Sequence, residues 1–354
     1  MLFDHPAFED HETVCFARDP ESGLRAIIAV HSTRAGPSAG GVRYLSYPDD
    51  RAALDDVLRL SKGMTYKNIM AGLAIGGGKA VVIADPARPK SKALFRALGR
   101  CIHRLNGAYV GAEDVGVTTE DVAAMAEVTP HVAGRARGAH ASGDPAPHTA
   151  KGVFLGLTAT AKRRLGVTDL TSVRVGVLGL GAVGMRLADH LHNAGAKLVV
   201  ADIDPQRVQA AHARFGAVAA TVESLPLAAV DVFAPCALGG VLTRAVVERL
   251  QAKVVAGAAN NQLAEPACDA LLTERGILYA PDYVINAGGI INVEGEVLGR
   301  FDPAAAQATI ERIPHTLEEI YATAADAGRP TGEVADEIAR RRLAALTPAA
   351  ARAA

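Results

Sequence analysis

Residues 173–202 hold the pattern that most restricts the fold of this 354-residue chain. Residues 175–178 predict a short buried strand, and a glycine-rich turn follows it directly. A helical apolar face comes next and ends at Gly195, before a second apolar strand that Asp202 closes. A strand, a helix and a strand in this order predict a βαβ unit, which joins parallel strands of one sheet. We therefore expect an α/β domain in the second half of the chain.

The turn of this unit has the spacing G-x-G-x-x-G, and Asp202 lies 18 residues past its last glycine. Such a turn between a strand and a helix lets a pyrophosphate reach the helix N-terminus, and the acid accepts hydrogen bonds from the adenosine ribose. A carboxylate there repels a 2′-phosphate, so the pattern favours NAD over NADP. The alternative is a tight turn without a ligand. The residues expected to bind the cofactor are Gly179, Gly181, Ala182, Val183, Gly184 and Asp202.

Two lysines, Lys67 and Lys79, lie twelve residues apart in the first half of the chain. Lys67 follows a helical pattern, whereas Lys79 lies between three glycines, residues 76–78, and the apolar stretch 80–84, which predicts a buried strand. Three consecutive glycines disfavour regular structure, so we expect them where the backbone approaches a ligand or takes positive φ. Most lysines are solvated surface residues, but two cations beside a cleft suit a small anionic substrate.

The stretch GMTYKNIMAGLAIGGGKAVVI closely resembles the glutamate/leucine/phenylalanine/valine dehydrogenases, in the branch that acts on apolar amino acids. The segments SGDPAPHTAKGV, DVFAPCALGG, VVAGAANNQL and YAPDYVINAGGIINV resemble the same family, so the similarity covers nearly the whole chain. The resemblance implies that Lys67 binds the substrate α-carboxylate and that Lys79 acts in acid–base chemistry at the α-carbon. It also implies that the backbone of Gly40 and Gly41 lines the substrate pocket, where an ordinary glycine turn is the alternative. Thr149 matches a threonine that contacts the nicotinamide end of the cofactor.

Glu113 and Asp114 follow a predicted strand end at residues 109–110 and are bounded by glycines. Loops at strand ends are common positions for catalytic groups. An acid in such a place often caps the next helix, but Thr118 or Thr119 is a better cap for the helix that follows. This leaves Asp114 available for proton transfer. The family resemblance implies that Asp114 exchanges protons with the substrate amine beside the catalytic lysine.

Three further strands are predicted in the second half, and each leads into a loop of small and amide residues. In an open α/β sheet, ligands bind beyond the carboxyl ends of the strands, and asparagine amides suit a nicotinamide amide or a substrate amine. One such asparagine alone is more often a turn residue. Cys236 is interpreted as a small apolar residue rather than a nucleophile, because no histidine stands in a matching motif. We assign Cys236, Ala237, Asn260 and Asn286 to the cofactor, and Asn260 and Asn261 to the substrate.

Length and composition are those of an ordinary globular protein with two domains. A chain of 354 residues with 49% hydrophobic residues has ample core. A formal net charge of −1 excludes a strong electrostatic attraction to nucleic acid or an anionic membrane. No apolar run approaches the roughly 20 residues of a membrane span, and the N-terminus lacks a signal-peptide pattern. Four cysteines without a C-x-x-C pair indicate a cytoplasmic protein, and eleven histidines without ligand spacing predict no metal.

The stretch 133–149 is rich in Gly, Pro and Ala and is typical of a linker, so we expect the domain boundary there. A helix is expected to resume near Ala150, and Pro314 is expected to kink or restart a later helix. The predicted fold is α/β with two domains and an active-site cleft between them. The expected domains are a substrate and oligomerisation domain at 1–134, joined by C-terminal helices at about 328–354, and a Rossmann-like NAD-binding domain at 135–327.

The predicted activity is NAD-dependent oxidative deamination of an apolar L-amino acid to its 2-oxo acid and ammonia. Ile290 and Val293 present two branched walls and Ala112 limits the depth of the pocket, which favours leucine, valine or isoleucine. Ala39 favours the alternative, a phenylalanine or tryptophan dehydrogenase, because branched-chain members of the family commonly carry a larger residue there. A non-catalytic NAD-binding regulator is the alternative from a different class, and the presence of both lysines and Asp114 disfavours it. The resemblance also implies a homo-oligomer, either a dimer or an octamer.

Overall fold

The computed structural model describes residues 3–135 and 141–346. The strands are β1 (Thr13–Asp19), β2 (Leu24–Ser32), β3 (Ser38–Leu45), β4 (Gly76–Ile83), β5 (Tyr109–Glu113), β6 (Arg174–Leu178), β7 (Lys197–Ala201), β8 (Val218–Ala219), β9 (Val232–Pro235), β10 (Val254–Val255) and β11 (Leu278–Tyr279). The helices are α1 (Asp50–Met70), α2 (Lys92–Arg104), α3 (Thr119–Ala126), α4 (Ala146–Leu165), α5 (Ala182–Asn193), α6 (Pro205–Phe215), α7 (Arg244–Arg249), α8 (Ala267–Glu274), α9 (Asp282–Ile285), α10 (Gly288–Val297), α11 (Pro303–Ile310), α12 (Ile313–Ala327) and α13 (Thr331–Ala345).

The chain divides into two compact units. The first unit comprises Met1–Asp144, Ile290–Pro303 and Ala339–Ala354, and the second comprises Pro145–Gly289 and Ala304–Ile338. The boundaries expected from the sequence therefore differ from these units in three segments. Residues 135–144 and 290–303 belong to the first unit, and residues 328–338 belong to the second unit.

The departures from the expected boundaries have visible causes in the packing. Val293 packs in a small apolar cluster with Val110 and Ala133 of the first unit. The Thr331 hydroxyl donates to the carbonyl of Tyr279 at 2.8 Å within the second unit. Neither contact has a signal in local composition. The predicted linker also includes residues 136–140, which lie outside the described residues, and α4 begins at Ala146 rather than near Ala150.

The first unit is built on a five-stranded sheet with the order β1-β2-β4-β3-β5. β2 is antiparallel to β1 and β4, whereas β3 runs parallel to β4 and β5. The core between this sheet and helices α2 and α3 contains Phe95, Leu98 and Tyr109, all fully buried. Thr118 caps α3 in a capping box with Asp121, which confirms the expected cap.

The three glycines at 76–78 lie inside β4, which corrects the expectation that they interrupt regular structure. None of them has positive φ. A methyl group at Gly76 would overlap the carbonyl of Ser32, and one at Gly77 would overlap the backbone of Thr65 in α1. A methyl group at Gly78 would lie 2.7 Å from the Ser38 hydroxyl. The glycines are therefore needed because the neighbouring backbone packs closely on this strand.

The second unit contains a six-stranded sheet with the order β11-β10-β9-β6-β7-β8, and all of its strand pairs are parallel. This is the doubly wound order in which the first strand, β6, lies between its successor β7 and the later strand β9. The expected βαβ unit is confirmed as β6, α5 and β7. In such sheets the strand order reverses beside the first strand, and ligands bind there, outside the carboxyl ends of the strands.

Helices α11 and α12 are separated at residues 311–312. Pro314 lies in the first turn of α12, where its missing N–H disturbs no hydrogen bond. The expectation that this proline restarts the helix is therefore confirmed. Within residues 3–135 and 141–346, no helix is long and apolar enough to cross a membrane.

Candidate active site

Lys79 and Asp114 form an ion pair in the first unit, with 2.7 Å between Nζ and Oδ2. Lys79 is the fourth residue of β4, and Asp114 directly follows β5. Strand β3 lies between these two strands, so both side chains project from one region of the sheet. Lys79 is only 5% exposed, which contradicts the alternative that it is a solvated surface residue.

The surroundings of this pair favour a lysine that releases its proton readily. Burial lowers the pKa of Lys79, and its attraction to Asp114 only partly opposes this effect. Burial alone would raise the pKa of Asp114, but the positive charges of Lys79 and Arg43 outweigh it and hold that pKa below its usual value. Asp114 is thus held as an anion beside a lysine whose positive charge burial disfavours. A neutral amine beside a fixed carboxylate can act as a general base.

Arg43 is a member of this site that the sequence analysis missed. Its Nε donates to Asp114 Oδ2 at 3.2 Å, and its Nη1 donates to Asp56 Oδ2 at 2.9 Å. A signal for it existed in the strand pattern. Gly41 and Arg43 are two apart on β3 and therefore share one face of the sheet, and a methyl group at Gly41 would contact Asp114.

Gly40 and Gly41 lie within β3, not in a turn, and neither has positive φ. A methyl group at Gly40 would overlap the carbonyl of Gly78, and their own carbonyls accept hydrogen bonds from the Tyr109 hydroxyl at 2.9 and 3.2 Å. The absence of side chains here is required by neighbouring protein atoms. Contact of this backbone with a substrate remains a prediction.

Lys67 lies in the last turn of α1 and is partly buried. Two residues earlier, Thr65 packs against Gly77, the second glycine of β4. This contact fixes the end of α1 against the strand that carries Lys79. Both predicted lysines therefore belong to one packed region of the first unit.

The expected apolar walls of the substrate pocket also belong to the first unit. Val293 of α10 is buried against Val110 and Ala133, and the partly buried Ile290 packs on the same cluster. Ala112 is the partly buried fourth residue of β5 and pairs with Gly41 of β3. Val110 and Ala112 are thus on the strand that leads directly to Asp114.

The glycine-rich turn of the second unit fits a bound pyrophosphate. Gly179 has φ +98, which favours glycine, and a methyl group there would lie 2.7 Å from the Ala237 nitrogen. A methyl group at Gly184 would overlap the Gly179 carbonyl. A methyl group at Gly181 would instead meet no described atom within 4 Å. No side chain of the described residues caps α5, which leaves the first N–H groups of the helix, at Ala182 and Val183, without a side-chain acceptor.

Asp202 closes β7 beside this turn. Its Oδ2 accepts from the Leu180 N–H at 2.6 Å and its Oδ1 accepts from the Asp204 N–H at 2.8 Å. Arg207 Nη1 lies 3.7 Å from the same carboxylate. The carboxylate is thus fixed at the turn, as a ribose-binding acid requires, with the Arg207 guanidinium close to it.

The asparagines assigned to ligand binding follow β10 and α9. The Asn286 Nδ2 donates to Asn260 Oδ1 at 2.7 Å and to the Ala258 carbonyl at 3.0 Å. The buried Oδ1 of Asn286 has no hydrogen-bond partner in the part of the chain that the structure describes. An acceptor in this state fits a ligand amide N–H. Asn261 has φ +51, which is typical of a turn residue.

The remaining cofactor assignments, Thr149, Cys236 and Ala237, also belong to the second unit. The Cys236 N–H donates to the Leu178 carbonyl at 2.7 Å, and Ala237 lies against Gly179. Burial raises the pKa of the Cys236 thiol to about 12, which agrees with a small apolar role. Thr149 of α4 lies beside Gly289, where a methyl group would be 2.7 Å from the Thr149 hydroxyl. No group of three or more His, Cys, Asp or Glu residues placed to hold a metal occurs within residues 3–135 and 141–346.

Comparison with known proteins agrees with both units. The protein-family model for the Glu/Leu/Phe/Val dehydrogenase dimerisation domain matches residues 11–131. The protein-family model for Glutamate/Leucine/Phenylalanine/Valine dehydrogenase matches residues 206–352. Leucine dehydrogenase from Geobacillus stearothermophilus is 45% identical over 348 residues, covering 98% of this chain and 95% of that protein. The chain belongs to the Glu/Leu/Phe/Val dehydrogenase family.

Two further relatives of this dehydrogenase carry different substrate names. Valine dehydrogenase from Streptomyces virginiae is 45% identical over 336 residues, covering 94% of each protein. The crystal structure of L-tryptophan dehydrogenase from Nostoc punctiforme has a TM-score of 0.83 at 41% identity, covering 94% of this chain and 96% of that chain. The protein is therefore an oxidoreductase, an amino acid dehydrogenase of a family that uses a nicotinamide cofactor and small-molecule substrates.

Proposed function

We propose that this dehydrogenase converts an apolar L-amino acid, NAD and water reversibly to the 2-oxo acid anion, ammonium, NADH and a proton, with leucine, valine and isoleucine as the favoured substrates. The observation that carries the proposal is the buried ion pair of Lys79 with Asp114. A lysine with a lowered pKa beside a carboxylate held ionised is suited to base catalysis near neutral pH. Bound NAD supplies the hydride acceptor for the substrate α-carbon.

Lys79 and Asp114 have separate roles in this reaction. Loss of hydride from the α-carbon leaves an imine, and neutral Lys79 takes a proton from the water that adds to it. Asp114 exchanges protons with the substrate nitrogen, which leaves as ammonia. Lys67, with the backbone of Gly40 and Gly41, holds the α-carboxylate and orients the α-carbon.

The choice of NAD rests on Asp202. Its carboxylate lies at the glycine-rich turn, where it accepts hydrogen bonds from the ribose hydroxyls and repels a 2′-phosphate. The open position over Gly181 and the unpaired acceptor of Asn286 support pyrophosphate and nicotinamide sites, respectively. Thr149, Cys236, Ala237 and Asn260 complete the proposed cofactor contacts.

The preference for branched-chain substrates rests on the walls of the pocket. Val293 and Ile290 are branched residues in one apolar cluster. The methyl group of Ala112 makes the substrate pocket shallower than a glycine at that position would. Relatives named leucine and valine dehydrogenases, each 45% identical, support the same choice. Ala39 is 2% exposed in β3 and is the observation that favours a larger, aromatic substrate.

We also propose a cytoplasmic homo-oligomer, a dimer or octamer, in agreement with the dimerisation-domain model that matches residues 11–131.

An NADH absorbance assay over a panel of L-amino acids tests this proposal. We expect kcat/KM for leucine to exceed that for phenylalanine and tryptophan, with NAD preferred over NADP. A single methylene of misfit changes such rates by about 10–200-fold, so several aliphatic substrates should react. A clear preference for phenylalanine or tryptophan supports the aromatic alternative. NADH binding without turnover of any amino acid supports the non-catalytic regulator.

A further inference from the structure

Asp114 is held by two cations rather than one. Its Oδ2 is 2.7 Å from Lys79 Nζ and 3.2 Å from Arg43 Nε. The two cations come from neighbouring parallel strands, β4 and β3, while Asp114 follows β5 on the other side of β3. A carboxylate in this position keeps one positive partner when the other loses its charge.

Arg43 is also held by a second carboxylate, that of Asp56, unlike an ordinary exposed arginine. Its Nη1 donates to Asp56 of α1 at 2.9 Å, and Asp56 also accepts from the Tyr47 hydroxyl at 2.8 Å. The side chains of Arg43 and Asp56 are only 17% and 14% exposed. Arg59 donates to the other oxygen of Asp56 but is largely exposed, and among the described residues it makes no contact with Asp114.

In the proposed reaction, the second cation beside Asp114 matters when Lys79 is neutral. When Lys79 is neutral and ready to take a proton, a buried carboxylate with no other cation would be destabilised as an anion. Asp114 would then acquire a proton and lose its capacity to accept one from the substrate amine. Arginine does not deprotonate in proteins, so Arg43 retains its charge throughout the cycle.

We propose that Arg43, anchored by Asp56, is a positioning residue that keeps Asp114 ionised while Lys79 changes its charge. The inference rests on the proposed function, because it assigns Arg43 to the proton transfers of that reaction. The two cations beside Asp114 therefore have different roles. Lys79 gains and loses a proton, whereas Arg43 stays positively charged.

The two cations around Asp114, Lys79 from β4 and Arg43 from β3, both lower its pKa. Burial and the charge of Asp114 raise the pKa of the Tyr109 hydroxyl of β5, and Asp56 and Tyr47 contact each other beside Arg43. Arg43 lowers the pKa of Asp114 and also that of Lys79. Removal of its charge should therefore raise both pKa values.

The test compares Arg43→Gln, Arg43→Lys and the control Arg59→Gln by the pH dependence of kcat/KM for leucine with NAD. In Arg43→Gln we expect the rising acidic limb to move to higher pH by about one unit, the low end of the effect of a neighbouring cation. Arg43→Lys keeps the positive charge, so the acidic limb of its profile should lie close to the pH of the wild-type limb. Arg59→Gln shares the partner Asp56 without touching Asp114, so its profile should coincide with that of the wild type.

A lower kcat/KM in Arg43→Gln with an unshifted profile would overturn the inference, and so would an equal shift in Arg59→Gln.

A second measurement needs no turnover and no folded variant of Arg43. In the wild type labelled with ¹³C at aspartate carboxyls, with Asp114→Asn for assignment, the Asp114 signal should stay that of an anion throughout the pH range of the activity limb. Protonation of Asp114 in that range rejects the inference. Absence of wild-type turnover rejects the proposed function instead, while the carboxyl titration, followed over pH 6–9, still decides the charge of Asp114.

Discussion

A methyl group on the α-carbon of Gly41 would lie 2.5 Å from the β-carbon of Asp114. Real β-carbons do not approach other atoms so closely, so the backbone after β5 would have to move. Gly41 therefore sets the position of Asp114 directly, whatever contact it makes with a substrate. This relationship connects a glycine predicted from family resemblance with the charge that lies beside Lys79.

We accordingly expect Gly41→Ala to lower kcat by about 100-fold, because a displacement of about 1 Å at a reacting group has an effect of this size. NADH binding, followed by fluorescence, should be unchanged. Gly63→Ala is the matched control, because a methyl group there meets no described atom within 4 Å. A Gly41→Ala enzyme with the kcat of the control would show that Asp114 tolerates displacement.

Lys79→Ala should abolish turnover, because the proton transfer assigned to Lys79 typically contributes 100-fold or more. NAD binding should remain nearly intact, since the proposed cofactor residues belong to the second unit. Single-turnover absorbance and NADH fluorescence measure the two effects separately. Lys92→Ala is the control, because Lys92 is an exposed lysine paired with Glu127. Turnover of Lys79→Ala within about tenfold of wild type would contradict the assignment.

The parts of the fold that the sequence predicted are those with short-range signals. The βαβ unit follows from glycine spacing and apolar periodicity within 173–202, and the α3 cap follows from Thr118 and its neighbours. The Arg43–Asp114 ion pair joins residues 71 apart. Alternation along β3 places Arg43 on the same face as Gly41, but no local pattern pairs it with Asp114. The expectation that the glycines at 76–78 interrupt regular structure is wrong for a related reason. Its glycines are required by contacts with Ser32, Ser38 and Thr65, which come together only in the folded unit.

His31 should make the protein less stable in mild acid. Burial, with smaller contributions from His11 and Lys62, lowers the pKa of His31 to about 3, whereas the unfolded chain has the ordinary value of 6.5. Below pH 6.5 the unfolded state therefore binds the extra proton, and the free energy of unfolding falls as the pH falls, until about pH 3. The expected loss at pH 5 is on the order of 2 kcal/mol, from about 1.4 kcal/mol for each pH unit.

Urea unfolding at pH 7.5 and pH 5 measures this loss. His31→Gln removes the titrating ring and should show a smaller drop between the two pH values, even if its stability at pH 7.5 is lower because the contact with the Thr65 hydroxyl is changed. His315→Gln alters an exposed histidine of α12 and should retain the full drop. Equal drops in all three proteins would refute the role of His31.

Asp202 is the residue on which the choice between NAD and NADP is predicted to depend. Asp202→Ala should lower the ratio of kcat/KM for NAD to that for NADP, because the charge that repels a 2′-phosphate is removed. Arg207, whose Nη1 lies 3.7 Å from the Asp202 carboxylate, is then available to a 2′-phosphate. The double variant Asp202→Ala/Arg207→Ala should therefore bind NADP less well than the single variant. Asp202→Asn is the structural control, because its amide oxygen can still accept from the Leu180 N–H. A wild-type preference for NADP would refute the role given to Asp202.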